Sequence, residues 1–253
     1  MHRNSSRKTS PESWFHMAGH GRKRHFKRLA APKLVSIGRK KARYLRAPFA
    51  GRHKKGEAFS LLVLLRDVLK LARDRGEAKR VLSGGMVLVD GAARRDEAFP
   101  VGLMDTVSIP EQGLHFRIVV ANGKLSPAVI SEKEAGVKLC KVVGKSLVRG
   151  GKIQLSFHDG RSHIIEREED RFSLGDTVKL SIPGQKISGF IKLEKGARCY
   201  IHLGKHAGKL AKLDGLLERA GSTATDASLT ADAGEKLITR KNYVFAVEDD
   251  FKL

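Results

Sequence analysis

The chain has two cysteines in 253 residues, Cys140 and Cys199. That is too few for a disulfide framework, and they lack the paired spacing of a structural zinc site, so a reduced, intracellular compartment is expected. Both sit inside apolar runs, where a buried thiol behaves as a small hydrophobe. Long hydrophobic runs are also missing. The most apolar one, Leu61 to Leu65, stops at Arg66-Asp67, far short of the ~20 residues a bilayer span needs, so no membrane partner is expected. The front of the chain has charge but no apolar h-region or small-residue cleavage site, which argues against a secretory signal and for the cytoplasm. Tryptophan occurs once, at Trp14, within the Ser-rich "MHRNSSRKTSPESWFH". Residues 1–16 read as a disordered extension, and base stacking by Trp14 is the weaker alternative.

Catalytic arrangements are equally thin. "HDGRSHIIEREED" gathers His158, Asp159, His163, Glu166, Glu168, Glu169 and Asp170, which suits acid–base work. Alternation after an Asp-Gly turn makes a charged hairpin the simpler account. No nucleophile has a plausible base beside it. His202 and His206 stand at i,i+4, a spacing that converges only on a helix, whereas Gly204 and Gly208 indicate a loop with no third ligand nearby. No Gly-Lys-Ser or Gly-Lys-Thr follows these glycines, which excludes a nucleotide phosphate loop. The expectation is therefore no enzyme, no cofactor, no metal and no small-molecule substrate.

What the chain has is base. It carries 49 Lys and Arg against 27 Asp and Glu, a formal charge of +22. From Met1 to Gly56 there are seventeen Lys and Arg and one acid, Glu12, a net +16, so the remaining 197 residues carry +6. This is a basic arm on a nearly ordinary body, and it calls for a polyanionic partner, nucleic acid above all. Like charges repel and have little apolar area to bury, so the arm should stay irregular until an anionic surface neutralises it. The cations suited to phosphate contact are Arg22, Lys23, Arg24, Lys27, Arg28, Lys33, Arg39, Lys40, Lys41, Arg43, Arg46, Arg52, Lys54 and Lys55. His20, His25, Phe26, Tyr44 and Phe49 are interleaved for stacking on unpaired bases. Packing against protein is an equally good reading of Phe26, and a solvated tail is the bland reading of the whole arm.

The body opens with apolar residues at 61, 64, 65, 68, 69 and 72, which predict an amphipathic helix. A shorter helix is expected over 77–83, stopped by Gly84-Gly85. Met86 to Val89 reads as a strand, Asp90-Gly91 as a hairpin turn and Asp105 to Ile109 as another strand. From His115 onward, short β-branched runs alternate with turns such as Asn122-Gly123, Asp159-Gly160 and Pro183-Gly184, which indicates small barrels or barrel-like sheets, one near 115–190 and one near 191–247. "LERAGSTATDASLTADAGEKL" is low in apolar content and is expected as a mobile surface loop, 214–236.

In this order "RKRHFKRLAAPK", "AFSLLVLLRDVLKLA", "MVLVDGAARRDEAFPVGLMDTVSI", "KLCKVVGK", "HDGRSHIIE", "GDTVKLSI", "FIKLEKGARCYIHLGKHAGKLAKL" and "ITRKNYVFAV" resemble the family of small-subunit ribosomal protein four of the archaeal and eukaryotic "e" type, over 17–247. Eukaryotic members usually continue further, which inclines the source to an archaeon. The resemblance implies a multi-domain α+β fold: the arm 17–56, an S4-like αα-β RNA-binding domain 57–110, a central β domain 111–190 and a KOW-type, SH3-like small β-barrel 191–253. It implies further RNA contacts at Lys70, Arg73, Arg75, Lys79 and Arg80 on polar helical faces, and at Arg94 and Arg95 after the hairpin turn. The alternative for any one of these is a solvated face paired to Asp67, Asp74 and Glu77. In the KOW loop, Lys205, His206 and Lys209 are expected on phosphates, with Gly204 and Gly208 letting the backbone approach RNA. The implied partners are small-subunit ribosomal RNA and neighbouring ribosomal proteins. The competing readings are an RNA-modifying enzyme with an S4-like appendage, which needs a catalytic domain that 111–253 does not resemble, and a KOW-containing elongation factor, which leaves the arm without purpose.

Overall fold

A computed structural model of the chain describes residues 25–41, 43–218, 225–232 and 234–251. The expected extension 1–16, His20 and the cations Arg22, Lys23 and Arg24 lie outside them. From His25 the arm is folded. Strand β1 (His25–Lys27) pairs antiparallel with β2 (Tyr44–Arg46), with Phe26 opposite Leu45. Ala31, Val35 and Leu45 are buried in the main core, and Phe26, Leu34 and Ile37 pack against it. The charge count hid these apolar residues. Each one buried contributes roughly 25 cal/mol per Å2 removed from water, which overcomes repulsion between cations that mostly point outward. For 25–56 the expectation of an irregular arm is therefore corrected.

Strand β3 (Ala58–Ser60) leads into α1 (Leu61–Val63), a π-turn at Leu64–Val68 and a stop at Lys70, whose φ is 57°. The helix predicted over 61–72 is thus shorter. All five residues Leu61 to Leu65 are buried, so this segment is wedged inside the core rather than laid on it by one face. Helix α2 (Arg75–Ser83) is capped by Asp74, whose side chain accepts from the Glu77 N–H at 2.8 Å, as a helix N-cap should.

The strands β4 (Leu88–Val89), β5 (Ala92–Ala93), β6 (Pro100–Gly102), β7 (Thr106–Ile109), β8 (Leu114–Ala121) and β9 (Lys124–Val129) follow. Strand β6 pairs with β3, and the others form one sheet of order β5-β4-β7-β8-β9. The two-residue turns Asp90-Gly91 and Asn122-Gly123 both have positive φ at both positions, the geometry that matches the twist of a tight hairpin. The boundary expected between 110 and 111 falls inside this sheet, because the 114–129 hairpin pairs with β7 rather than with the strands after it.

After the short helix α3 (Glu132–Ala135) come β10 (Val137–Leu147), β11 (Ile153–Phe157), β12 (Ser162–Ile165), β13 (Thr177–Ser181) and β14 (Ile187–Ile191), in the order β12-β11-β10-β13-β14. The last sheet contains β15 (Arg198–Ile201), β16 (Leu210–Glu218), β17 (Thr225–Ala231), β18 (Lys236–Arg240) and β19 (Val244–Ala246), in the order β18-β17-β16-β15-β19. Most of the described part of 214–236, expected as a mobile loop, is paired strand. Ala227, Leu229 and Ala231 alternate into a buried core, and such small side chains lower a segment's apparent hydrophobicity without preventing burial. No helix among the described residues is long and apolar enough to cross a membrane.

An ionic joint locks the sheets together. Lys138 on β10, wholly buried, stands 2.8 Å from Asp90 and 3.1 Å from Asp159, and also bonds Asp105. Arg52 and Arg161 reach Asp90 at 2.5 and 2.6 Å, and His53 meets Asp105 at 2.8 Å. Burial pushes the Asp105 carboxyl up, but Lys138, His53 and Arg52 more than offset it and hold it well below the usual carboxylate range. Tyr200 ties the last sheet to the first, its hydroxyl accepting from the Val120 N–H at 2.5 Å and donating to the Val120 carbonyl at 2.9 Å.

Candidate nucleic-acid interface

With its apolar residues turned in, the arm turns its cations out. Lys27, Lys33, Lys40, Lys41, Arg43, Lys54 and Lys55 are exposed, and the sequence from His25 to Gly56 has no carboxylate. Half-buried Arg39 donates to the carbonyls of Leu29 (3.0 Å) and Ala31 (3.2 Å), which sets the shape of the loop between β1 and β2. Lys27, Arg28, Leu29, Arg39, Lys40, Lys41 and Arg43 line a groove of about 580 Å3. Leu29 in this groove is 75% exposed, and Tyr44 beside it is 45% exposed with the Arg43 guanidinium 5.3 Å from its ring centroid. An apolar side chain and an aromatic ring among cations provide for bases as well as phosphates. Phe26 packs inward, and Phe49 stands edge-on to Phe99 at 5.7 Å, so neither presents a stacking face.

Three of the predicted arginines serve the protein itself. Arg28, 2% exposed, donates to the Gly38 carbonyl at 3.0 Å and lies 3.5 Å from Asp67. Arg46 pairs with Glu97 at 3.3 Å, and Arg52 belongs to the ionic joint. Burial lowers the Arg52 pKa, but Asp105 and Asp90 outweigh it and raise it. Their carboxylate partners are distant in sequence, which is why spacing alone placed these arginines on phosphates.

Lys70, Arg73, Lys79, Arg80 and Arg95 are exposed around α2 and the β4–β5 hairpin. Arg75 is exposed too but grips Glu97 with two bonds, 2.9 and 2.6 Å. Arg94 is half-buried over Phe99, 4.7 Å from the ring centroid, and burial followed by the neighbouring Arg52 lowers its pKa. The hairpin turn itself faces protein: a Cβ at Gly91 would stand 2.4 Å from Ile182 Cγ2. That turn is docked on the central sheet.

In the loop 202–209, Lys205 and Lys209 are exposed and His206 is half-buried, with Lys209 3.3 Å from Glu235. The glycines do not serve as expected. A Cβ at Gly208 would lie 2.8 Å from the Asn122 nitrogen, and one at Gly204 3.3 Å from the Tyr243 ring, so the close approach is to the protein's own β8–β9 hairpin and Tyr243. His202 is turned inward, edge-on to Phe245 at 5.2 Å, and burial followed by Lys141 lowers its pKa to about 3.

Cys140, His158 and Asp159 bring ligand-type atoms within 4.8 Å of one another, which the sequence reading missed. The set does not suit a metal. The Lys138 ammonium already stands against Asp159, and both His158 nitrogens are engaged: Nδ1 accepts from the Lys141 N–H at 3.2 Å and Nε2 faces the Leu103 carbonyl at 3.4 Å.

Residues 112–187 match the model of the ribosomal family S4e. The chain is 42% identical over 243 residues to small ribosomal subunit protein eS4 of Methanocaldococcus jannaschii, spanning 92% of this chain and 98% of that one. It is 37% identical over 229 residues to the eS4 protein of Methanothermobacter thermautotrophicus. The crystal structure of 30S ribosomal protein S4e from Thermoplasma acidophilum is similar, with a TM-score of 0.64 at 33% identity, covering 77% of this chain and 96% of that one.

Proposed function

The chain belongs to the ribosomal S4e family, a family of ribosomal proteins rather than enzymes, and on that premise we propose that it is a structural constituent of the small ribosomal subunit that binds and stabilises small-subunit rRNA. The observation that carries the proposal is the arm: a folded, carboxylate-free segment whose exposed lysines and Arg43 surround a groove containing Leu29, with Tyr44 beside it. Each phosphate neutralised by such a side chain releases condensed counterions, a driving force that needs no base sequence.

We read 57–129 as the S4-like module, 132–191 as the central β domain and 196–251 as the KOW-type module. In this reading Lys70, Arg73, Lys79, Arg80 and Arg95 make a second phosphate-facing surface, and Lys205, His206 and Lys209 a third. Neighbouring ribosomal proteins are the remaining partners, and the site of action is the cytoplasmic ribosome. The match over 98% of a relative named as a ribosomal protein favours this reading over an RNA-modifying enzyme. Sedimentation of lysate tests the proposal: the protein is expected with small subunits, and recovery only in the free fraction would overturn it.

A further inference from the structure

A cleft between the central and last sheets is not used by the reading above. It encloses about 380 Å3, within the range of pockets that hold small ligands. Among the described residues its lining includes Lys141, Arg240 and Lys241 and no carboxylate. Asp226 stands opposite Arg240 in the β17–β18 register but does not line the cleft.

The inner wall holds the Lys141 side chain. The Lys141 ammonium donates to the carbonyls of Lys241 (2.9 Å), Asn242 (3.1 Å) and Val244 (2.7 Å). A buried cation held only by neutral dipoles leaves an uncompensated field. Burial, then the Lys241 charge, lowers the Lys141 pKa to about 7, and an anion in the cleft would offset both. Lys241 reaches the wall because Gly175 has no side chain: a Cβ there would stand 2.9 Å from Lys241 Cε, at a φ of +103°. Behind the wall lies a buried aromatic layer. Phe245 is flanked edge-on by His158 at 4.9 Å and His202 at 5.2 Å, with the Lys141 ammonium 5.8 Å from its ring centroid.

We propose that this cleft binds a nucleotide, with its phosphate between Arg240 and Lys241 and its base against Leu174, an exposed apolar side chain of the lining. The same chemistry is offered by a residue extruded from RNA and by a free nucleoside monophosphate. The first source rests on rRNA binding by the chain, whereas the second stands without it.

Two measurements on the full chain separate the sources. In the first, a photo-crosslinking amino acid replaces Val143, 59% exposed at the rim, and irradiation of assembled small subunits is scored for RNA adducts. In the second, free protein is titrated calorimetrically with adenosine 5′-monophosphate. Either an RNA adduct or monophosphate binding tighter than about 1 mM, weakened about tenfold or more in R240Q/K241Q and kept in R240K/K241R, supports the site and names its source. Neither signal, or signals undiminished in R240Q/K241Q, would overturn it. A protein absent from subunits that still binds the monophosphate would sink the rRNA reading and keep this one.

Discussion

Replacing Lys138 by methionine removes one charge from the buried centre of the joint. Its ammonium stands 2.8 Å from Asp90 and 3.1 Å from Asp159 and bonds Asp105. A unit pair at such a distance attracts by about 6 kcal/mol at an effective dielectric of ~20, most of it offset by desolvation. Deleting one partner leaves the desolvation of the others unanswered, at a cost of about 3–5 kcal/mol. The three carboxylates are not equally exposed to that loss. Asp90 keeps Arg52 and Arg161, and Asp159 keeps Arg161 at 3.1 Å. Asp105 keeps only His53 at 2.8 Å and the Gly102 N–H at 2.9 Å as direct partners. The K138M protein should therefore lose about 3–5 kcal/mol in urea unfolding, and adding D105N should recover about 1–2 kcal/mol, as contacting residues couple. A loss below about 1 kcal/mol would place Lys138 among solvated surface pairs and refute the joint. Failure of D105N to recover anything would refute the assignment of the deficit to Asp105.

Acid should weaken the fold before any carboxylate titrates. Burial, first among the causes, pushes His158 down to about 4 and His202 to about 3. The unfolded chain thus takes protons near pH 6.5 that the folded chain refuses, and stability falls from pH 6.5 toward 4 by up to about 1.4 kcal/mol per unit per histidine. Urea midpoints between pH 7 and 5 measure this, and a flat profile would contradict it. Gly91→Ala and Gly123→Ala share a φ of +70°, but only the first Cβ meets protein, at 2.4 Å from Ile182. G123A should cost about 1–2 kcal/mol and G91A about 1–3 more, and equal losses in thermal unfolding would show that the hairpin turn is not docked. Changing Lys205 and Lys209 to Ala should lower the salt slope of rRNA binding by about one to two, and an unchanged slope would remove that loop from the contacts.

Short-range signals were legible from sequence. The Asp90-Gly91 and Asn122-Gly123 turns, the helix ended by Gly84-Gly85 and the outward lysines of the arm all follow from neighbours in the chain. Long-range pairing was not legible. Nothing local says that 114–129 joins the strand ending at Ile109 rather than the strands after it, or that Leu34 accepts from the Leu125 N–H at 2.7 Å and clips the arm to β9. The same blindness moved Arg28, Arg46 and Arg52 to the RNA side, since their carboxylates lie elsewhere in the sequence. It also hid Lys138, which in "KLCKVVGK" looks like an ordinary strand lysine. Small residues misled in the opposite direction, because alanine-lined β17 buries a core that its composition conceals.

The folded arm's central role is that of an electrostatic anchor. Binding of the K40Q/K41Q/R43Q protein to small-subunit rRNA, titrated across salt, tests it most directly. Three lost phosphate contacts predict weaker binding and a log–log salt slope shallower by about two to three, whereas R52Q, which alters only the internal joint, should leave the slope unchanged. A triple variant with the parent's slope and affinity would contradict the account.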